Sequence, residues 1–173
     1  PSSSHQVGRK AKSLVETARK NIAKRFNANS NEIVFTAGGS EADNLILRNA
    51  VVNLGVTRII SSRIEHHAVL HTIEHLESEF DISVHWVGLD EKGGIKYDHL
   101  KGLLDQSSKK TLVSLMYINN EIGNLLDLKK VSDLCREYNA LFHSDSVQGI
   151  GHFDMNVQEN PMDFFVASAH KFH

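Results

Sequence analysis

Short apolar runs alternate with helical patterns from residue 32 to the end of this sequence, and that alternation limits the folds it can adopt. Runs rich in Val, Ile and Phe are typical of buried strands, whereas apolar residues three or four positions apart are typical of helices. Alternation of the two favours an α/β fold, with a mainly parallel sheet and helices on both faces. Strands are predicted at 32–36, 57–62, 82–87, 110–118, 140–145 and 163–168.

Helices are predicted at 5–26, from the glycine turn at Gly38-Gly39 to about Leu54, from about 66 to 79, at 97–106 and at 128–138. In the first, seven apolar residues fall on one stripe that we expect to be buried. Its basic residues lie mostly off that stripe and are either solvated or able to attract phosphate. The apolar stripe consists of Val7, Ala11, Leu14, Val15, Ala18, Ile22 and Phe26.

Composition sets broad limits on partners and location. The 173 residues carry a formal net charge of −2, so neither a nucleic acid nor a membrane partner is indicated. The single cysteine, Cys135, fits a reducing compartment, and we expect a cytoplasmic protein. Cys135 lies on the apolar side of its helix and is expected in the core rather than as a nucleophile. His67, His71 and His75 share a helix face, but no cysteine or carboxylate pattern supports a metal site.

Polar residues follow several of the predicted strands where each strand ends. Carboxyl ends of parallel strands meet at one edge of a sheet, where ligands bind. Two of these groups allow plain alternatives: Gly38–Ser40 could be an ordinary turn, and Lys171 could be a surface lysine. A lysine that leaves bulk water at such an edge can instead form a Schiff base. The predicted edge holds Gly39, Ser40, His66, Asn120, Asp145, Gln148, Ser168, His170 and Lys171.

One cofactor, pyridoxal 5'-phosphate, would use all of these groups. Its aldehyde needs a lysine, for which Lys171 is available, and its ring nitrogen needs a carboxylate such as Asp145. Its phosphate needs N–H and hydroxyl donors near a helix start, as at Gly39-Ser40. His66 could stack on the ring, and Gln148 could bond the phenolate oxygen.

Five ordered motifs carry a family resemblance over essentially the whole chain. The sequence resembles the cofactor-binding part of a cysteine desulfurase of the iron–sulfur cluster assembly type, in the class V aminotransferase family of fold-type I pyridoxal-phosphate enzymes. The implied fold is therefore the large cofactor domain of that group. The motifs are Phe-Thr-Ala-Gly-Gly-Ser-Glu-Ala-Asp-Asn at 35–44, Glu-His-His-Ala-Val-Leu at 65–70, Asn-Asn-Glu-Ile-Gly at 119–123, His-Ser-Asp-Ser-Val-Gln at 143–148 and Ser-Ala-His-Lys at 168–171.

The resemblance implies a role for each matching residue. Lys171 and His66 are expected to be catalytic: Lys171 carries the cofactor and moves the Cα proton, and His66 stacks on the ring. Asp145 pairs with the ring nitrogen. The phenolate oxygen is bonded by Gln148, and Asn120 contacts cofactor or substrate. The phosphate is held by Gly39, Ser40, Ser168 and His170.

The implied substrate is L-cysteine, which gives L-alanine and an enzyme persulfide for transfer to a sulfur acceptor or scaffold protein. A homodimer is expected when the protein is full length. Gly39 and Ser40 stand where the family usually has alanine and threonine, and Ser146-Val147 stands where it commonly has Ala-Thr. Residues 1–173 are expected to be a partial large domain, without an N-terminal segment, the rest of that domain, the C-terminal small domain or the catalytic cysteine. We therefore expect this stretch alone to be inactive.

Three rival functions remain open. A selenocysteine lyase or an aminotransferase of the same family would use the same cofactor residues. A non-catalytic interaction module would have kept the fold without turnover, although Lys171, Asp145 and His66 are all present. A mononucleotide-binding protein is disfavoured because the Gly38-Gly39-Ser40 turn lacks the lysine of a phosphate loop.

Overall fold

The structure is a computed structural model that describes residues 4–172. The chain divides into two compact units. One comprises the residues up to Phe35 together with Met155–Asn160, and the other comprises Thr36–Asp154 and Pro161 onward. Among the described residues, no helix combines the length and the apolar character needed to cross a membrane.

In the first unit, helix α1 (Gln6–Phe26) begins and ends where the sequence predicts. The His5 ring accepts a hydrogen bond from the Gly8 N–H at 3.0 Å and caps the helix. Asn27 ends it in the left-handed region, with φ of 56°, a conformation that Asn tolerates better than most residues. The predicted apolar stripe is wrong in part, because Val7 and Leu14 are 74% and 73% exposed. The buried positions of the helix are instead the small residues Gly8 and Ala23.

The strand predicted at 32–36 is wrong. Ser30–Glu32 forms a short 3-10 turn, and the residues after it pair with no strand among those described. The apolar sequence is that of a strand, but a strand needs a hydrogen-bonded neighbour. Val34 and Phe35 remain 69% and 47% exposed, and the Arg19 guanidinium covers the Phe35 ring at 4.7 Å.

The second unit is a five-stranded parallel sheet. Its strands are β1 (Arg58–Ser61), β2 (Ser83–Trp86), β3 (Thr111–Ser114), β4 (Leu141–Asp145) and β5 (Phe164–Val166), in the order β2-β1-β3-β4-β5. Its helices are α2 (Gly39–Val52), α3 (His67–Glu79), α4 (Tyr97–Asp105) and α5 (Leu128–Glu137).

Helices cover both faces of this sheet, as predicted. From β1 the chain moves one way through α3 to β2, then returns through α4 to β3 and continues through α5 to β4. Because such crossovers are right-handed, the change of direction places α3 on the opposite face from α4 and α5. The contacts agree, since α2 packs on α3 and α4 packs on α5. The α/β prediction is therefore confirmed.

The main core lies between the α2–α3 layer and the sheet. It contains Leu47, Ala50, Val51, Val56, Ile59, Val69, Ile73, Leu76 and Leu112. Cys135 is also buried, at 2% exposed, and burial raises the pKa of its thiol, so its predicted place in the core is confirmed.

Leu47→Ala is expected to lower the free energy of unfolding of the protein by about 2–5 kcal/mol, because the fully buried side chain would leave a cavity. Leu45→Ala on the same helix is the matched control, since Leu45 is 46% exposed and should cost about 0.5 kcal/mol or less. Urea unfolding measures both. Equal losses would show that the α2–α3 layer does not enclose Leu47 as described.

Candidate active site

The carboxyl ends of the parallel strands form one edge of the sheet, and polar segments follow four of them. They are the turn 62–66 after β1, the loop 115–124 after β3, the segment 146–150 after β4 and the segment 167–171 after β5. The chain changes direction between β1 and β3, which is the position where open α/β sheets bind ligands. The structure thus places every predicted site residue along this edge or at the adjoining start of α2.

Asp145 is the last residue of β4 and is only 6% exposed. Its Oδ1 atom accepts a hydrogen bond from the Val147 N–H at 3.0 Å, which fixes the carboxyl group. Burial raises the pKa of Asp145, and the nearby Asp43 carboxylate raises it further. His143 and His66 act in the opposite direction. A buried carboxyl in this setting is well prepared to pair with a cationic ligand group.

Behind Asp145 lies a buried pair that the sequence analysis missed, Asp43 of α2 and His143 of β4. His143 Nε2 is 3.4 Å from Asp43 Oδ1, and neither atom has another hydrogen-bond partner among the described residues. The other ring nitrogen, Nδ1, lies 2.9 Å from Ser114 Oγ. The period of two along a strand would have indicated that His143 and Asp145 share a face. Nothing local in the sequence points to Asp43.

The start of α2 and the segment after β5 meet at Gly39. A Cβ atom at Gly39 would lie 3.0 Å from Val147 Cγ2 and 3.8 Å from Ser168 Cβ, so this glycine sits between the segments that follow β4 and β5. Ser168 is 8% exposed, and its Oγ lies 2.8 Å from His170 Nδ1. The predicted grouping of Gly39, Ser168 and His170 is thus a close cluster.

Backbone N–H groups without an acceptor lie beside that cluster, at the start of α2. The first N–H groups of a helix have no partner within it, and those of Gly39, Ser40 and Glu41 find no acceptor in the described part of the chain. Glu41 closes the turn by accepting a hydrogen bond from the Ala37 N–H. Ser40 is exposed and does not cap the helix, whose N-cap is Gly38. Unpaired N–H groups at a helix start attract anions.

His66 and Lys171 are both exposed and lie in different segments of this edge, after β1 and after β5. His66 is exposed and caps α3, with Nδ1 accepting a hydrogen bond from the Ala68 N–H at 3.1 Å. Lys171 ends a 3-10 turn, Ala169–Lys171, whose last N–H donates to the Ser168 carbonyl at 3.0 Å. Of the two alternatives left open for Lys171, the structure shows the exposed lysine, and its role as the cofactor-binding lysine stays a prediction. The described neighbours leave its amine open to solvent.

The loop after β3 is held by Asn119, the neighbour of the predicted site residue Asn120. The Asn119 amide donates to the Ile64 carbonyl at 2.7 Å and accepts from the N–H groups of Glu121 and Ile122 at 2.9 Å each. Asn120 is exposed, and Gln148 is partly buried. Neither has a side-chain hydrogen bond to another described residue. Burial of Asn119 could not be read from the doublet Asn119-Asn120, because both residues have the same side chain.

A separate polar group, Glu65, was also missed by the sequence analysis. It is 6% exposed and lines a cavity of about 180 Å³ between the turn after β1 and the loop after β3. Its neighbour His66 was predicted to stack on a cofactor ring, whereas a glutamate in a turn is normally solvated and gives no such signal. Among the described residues, no cluster of three or more His, Cys, Asp or Glu side chains could hold a metal ion.

Comparison with known proteins decides the family. The family model for "Aminotransferase class-V" matches residues 1–173. This chain belongs to the class V aminotransferase family. It is 42% identical over 175 residues to a cysteine desulfurase IscS of Clostridium botulinum, and the match covers all of this chain and 43% of that protein. The chain thus spans less than half the length of this class V relative.

Solved structures show the same likeness. A NifS-like protein from Rickettsia africae matches with a TM-score of 0.84 and 37% identity, over 99% of this chain and 46% of that one. The structure described as "SspA in complex with cysteine" matches with a TM-score of 0.87 and 29% identity, over 98% of this chain and 49% of that one. The predicted resemblance to cysteine desulfurases within the class V family is confirmed.

Proposed function

We propose that the complete protein is a pyridoxal-phosphate-dependent cysteine desulfurase. L-Cysteine and an enzyme thiol would give L-alanine and an enzyme persulfide, so that one sulfur atom passes to the thiol as the carbon–sulfur bond is broken. The sulfur would go to an acceptor or scaffold protein for iron–sulfur cluster or thio-cofactor synthesis. We further propose a homodimer in the cytoplasm.

One observation carries the proposal: a buried carboxyl, Asp145, lies at the same sheet edge as an anion-attracting helix start and a lysine. The residues present fit pyridoxal phosphate. The donors at Gly39 and Ser40, with Ser168 and His170, suit its phosphate. Burial and the nearby Asp43 carboxylate raise the pKa of Asp145, and a protonated ring nitrogen would supply this carboxyl with a cationic partner.

Each residue would then have a definite task. Pyridoxal phosphate, when bound, supplies an aldehyde that takes up amines and a ring that withdraws electrons from the substrate's Cα. Asp145 would hold the ring proton, and His66 would orient the ring from α3. Lys171 would bind the cofactor through its amine and move the Cα proton. Gln148 would bond the phenolate oxygen, and Asn120 would contact the cofactor or substrate.

The proposed thiol is not Cys135. That side chain is buried, and its raised thiol pKa disfavours the thiolate needed for attack on sulfur. The Cys135 carbonyl also accepts a hydrogen bond from the Ala140 N–H at 2.8 Å, just before β4 begins. Cys135 therefore lies near the amino end of the strand whose carboxyl end carries Asp145. The acceptor thiol is proposed to lie outside these 173 residues.

Borohydride reduction of the complete protein, followed by digestion and mass spectrometry, is expected to find a pyridoxyl group on Lys171. The reduction makes the lysine–cofactor bond permanent, so the label marks the lysine that binds the cofactor. A label on another lysine, or none on folded protein supplied with cofactor, would contradict the assignment. Product analysis with L-cysteine and L-selenocysteine then separates desulfurase from selenocysteine lyase.

A further inference from the structure

Glu65 is a buried acid with unusual surroundings. Its Oε1 atom accepts a hydrogen bond from Ser62 Oγ at 2.6 Å, and the Met116 backbone acts on the carboxyl electrostatically and lowers its pKa. Both partners are neutral. The other oxygen, Oε2, has no partner among the described residues, although it is fully buried. A carboxylate placed among neutral groups lacks the compensation that buried charges need.

Other acids occupy the same region. Asp145 at the end of β4 and Asp43 on α2 both act on Glu65 electrostatically, and Asp90 and Tyr97 lie across the cavity that Glu65 lines. Asp43 has His143 at 3.4 Å, and Asp145 has the Val147 N–H at 3.0 Å with the influence of two histidines. Glu65 has no comparable support. When like charges crowd a buried region, the least supported acid keeps its proton.

The position of Glu65 gives its protonation a consequence. It immediately precedes His66, the N-cap of α3, and follows Ile64, whose carbonyl is held by the Asn119 amide at 2.7 Å. The Glu65 carboxyl accepts a hydrogen bond from the Ser62 hydroxyl within the turn 62–66, and the Asn119 amide holds the same turn to the loop after β3. Fixing Glu65 therefore fixes the backbone that presents His66.

We propose that Glu65 is a positioning residue that stays a neutral carboxylic acid and anchors the turn beneath His66. Because Glu65 is neutral, the negative charge of this group of buried acids stays near Asp145. Burial raises the pKa of Glu65 to about 8, in agreement with a neutral group at neutral pH. This inference deepens the proposed function, because His66 and Asp145 belong to the proposed cofactor site.

Infrared difference spectra of the complete protein and its Glu65→Gln variant test the charge directly. The spectrum at neutral pH should show the C=O stretch of a protonated acid, lost in Glu65→Gln and present in the control Glu91→Gln, whose side chain is exposed. The signal should disappear with a midpoint near pH 8. Ser62→Ala should move that midpoint to higher pH, because the Ser62 hydrogen bond lowers the pKa of Glu65. No protonated-acid signal in wild-type protein at neutral pH would overturn the proposal.

The positioning role has its own readout. Glu65→Ala would leave the Ser62 hydroxyl without its acceptor, and cofactor affinity should fall by about tenfold with a shift of the bound cofactor's absorption band. Glu65→Gln should restore both to the wild-type values, because it keeps the acceptor without a charge. If Glu65→Gln is as impaired as Glu65→Ala, the ionised form is required and the proposal is wrong. The infrared result needs neither cofactor nor turnover, so the inference and the proposed function can fail separately.

Discussion

Replacing Lys171 with alanine in the complete protein is expected to reduce alanine formation from L-cysteine by about 10⁴-fold, the upper end of what one acid–base group contributes. Two tasks would be lost together, since the same amine would bind the cofactor and move the substrate's Cα proton. Folding should be unaffected, because Lys171 is exposed and, among the described residues, only its backbone N–H makes a hydrogen bond, to the Ser168 carbonyl. Steady-state assays of alanine, with thermal melts alongside, measure the two effects.

Lys109→Ala is the matched control for this change. Lys109 is also exposed, but it lies before β3, at the amino end of the sheet and away from the proposed site. The Lys109→Ala protein should form alanine from L-cysteine at the wild-type rate. A Lys171→Ala protein that keeps activity within tenfold of the wild type would remove Lys171 from the mechanism and would favour the non-catalytic or nucleotide-binding alternatives.

Asp145→Asn is expected to lower turnover by about 10²–10⁴-fold, because breaking a buried charge pair costs about 3–5 kcal/mol and 1.36 kcal/mol corresponds to a factor of ten. The amide oxygen of asparagine can still accept the hydrogen bond that the Val147 N–H now donates to Oδ1. The variant therefore removes charge and preserves shape. Cofactor affinity, measured by spectral titration, should fall in parallel with turnover.

In contrast to its effect on turnover, Asp145→Asn should not lower the free energy of unfolding of the protein without cofactor. The pKa of Asp145 is raised in the folded state, so the folded protein holds this proton above the pH at which the unfolded chain releases it. The carboxyl thus contributes a stability that falls as pH rises from the ordinary aspartate pKa to the raised one. Because the substituted asparagine is neutral at every pH, the Asp145→Asn apoprotein should be at least as stable as wild type at neutral pH.

Asp81→Asn is the matched control, because Asp81 is exposed, and it should change neither cofactor binding nor stability. A destabilised Asp145→Asn apoprotein would indicate a structural role for Asp145 instead.

The sheet was predictable because a repeated physical pattern specifies it. Apolar runs separated by amphipathic helices can bury both sheet faces only in a parallel arrangement, and β1 to β5 all fall within predicted strands. The segment 32–36 has an equally apolar sequence and failed, because its hydrogen-bonded partner is not specified locally and none lies within the described residues. Similarly, the spacing of apolar residues correctly predicts the helix α1, but that spacing does not determine which residues are buried, and Val7 and Leu14 are exposed.

Sequence by itself determined the α/β class, the family and the approximate positions of the five strands, since these depend on local periodicity and on ordered motifs such as 168–171. Only the tertiary structure decided which of them are buried and paired. It selected Asn119 over its identical neighbour as the buried loop anchor, brought Asp43 to 3.4 Å from His143, and enclosed Glu65. The reason is physical: burial and electrostatic coupling depend on contacts between residues far apart in the chain, and those contacts set the charge that each acid carries.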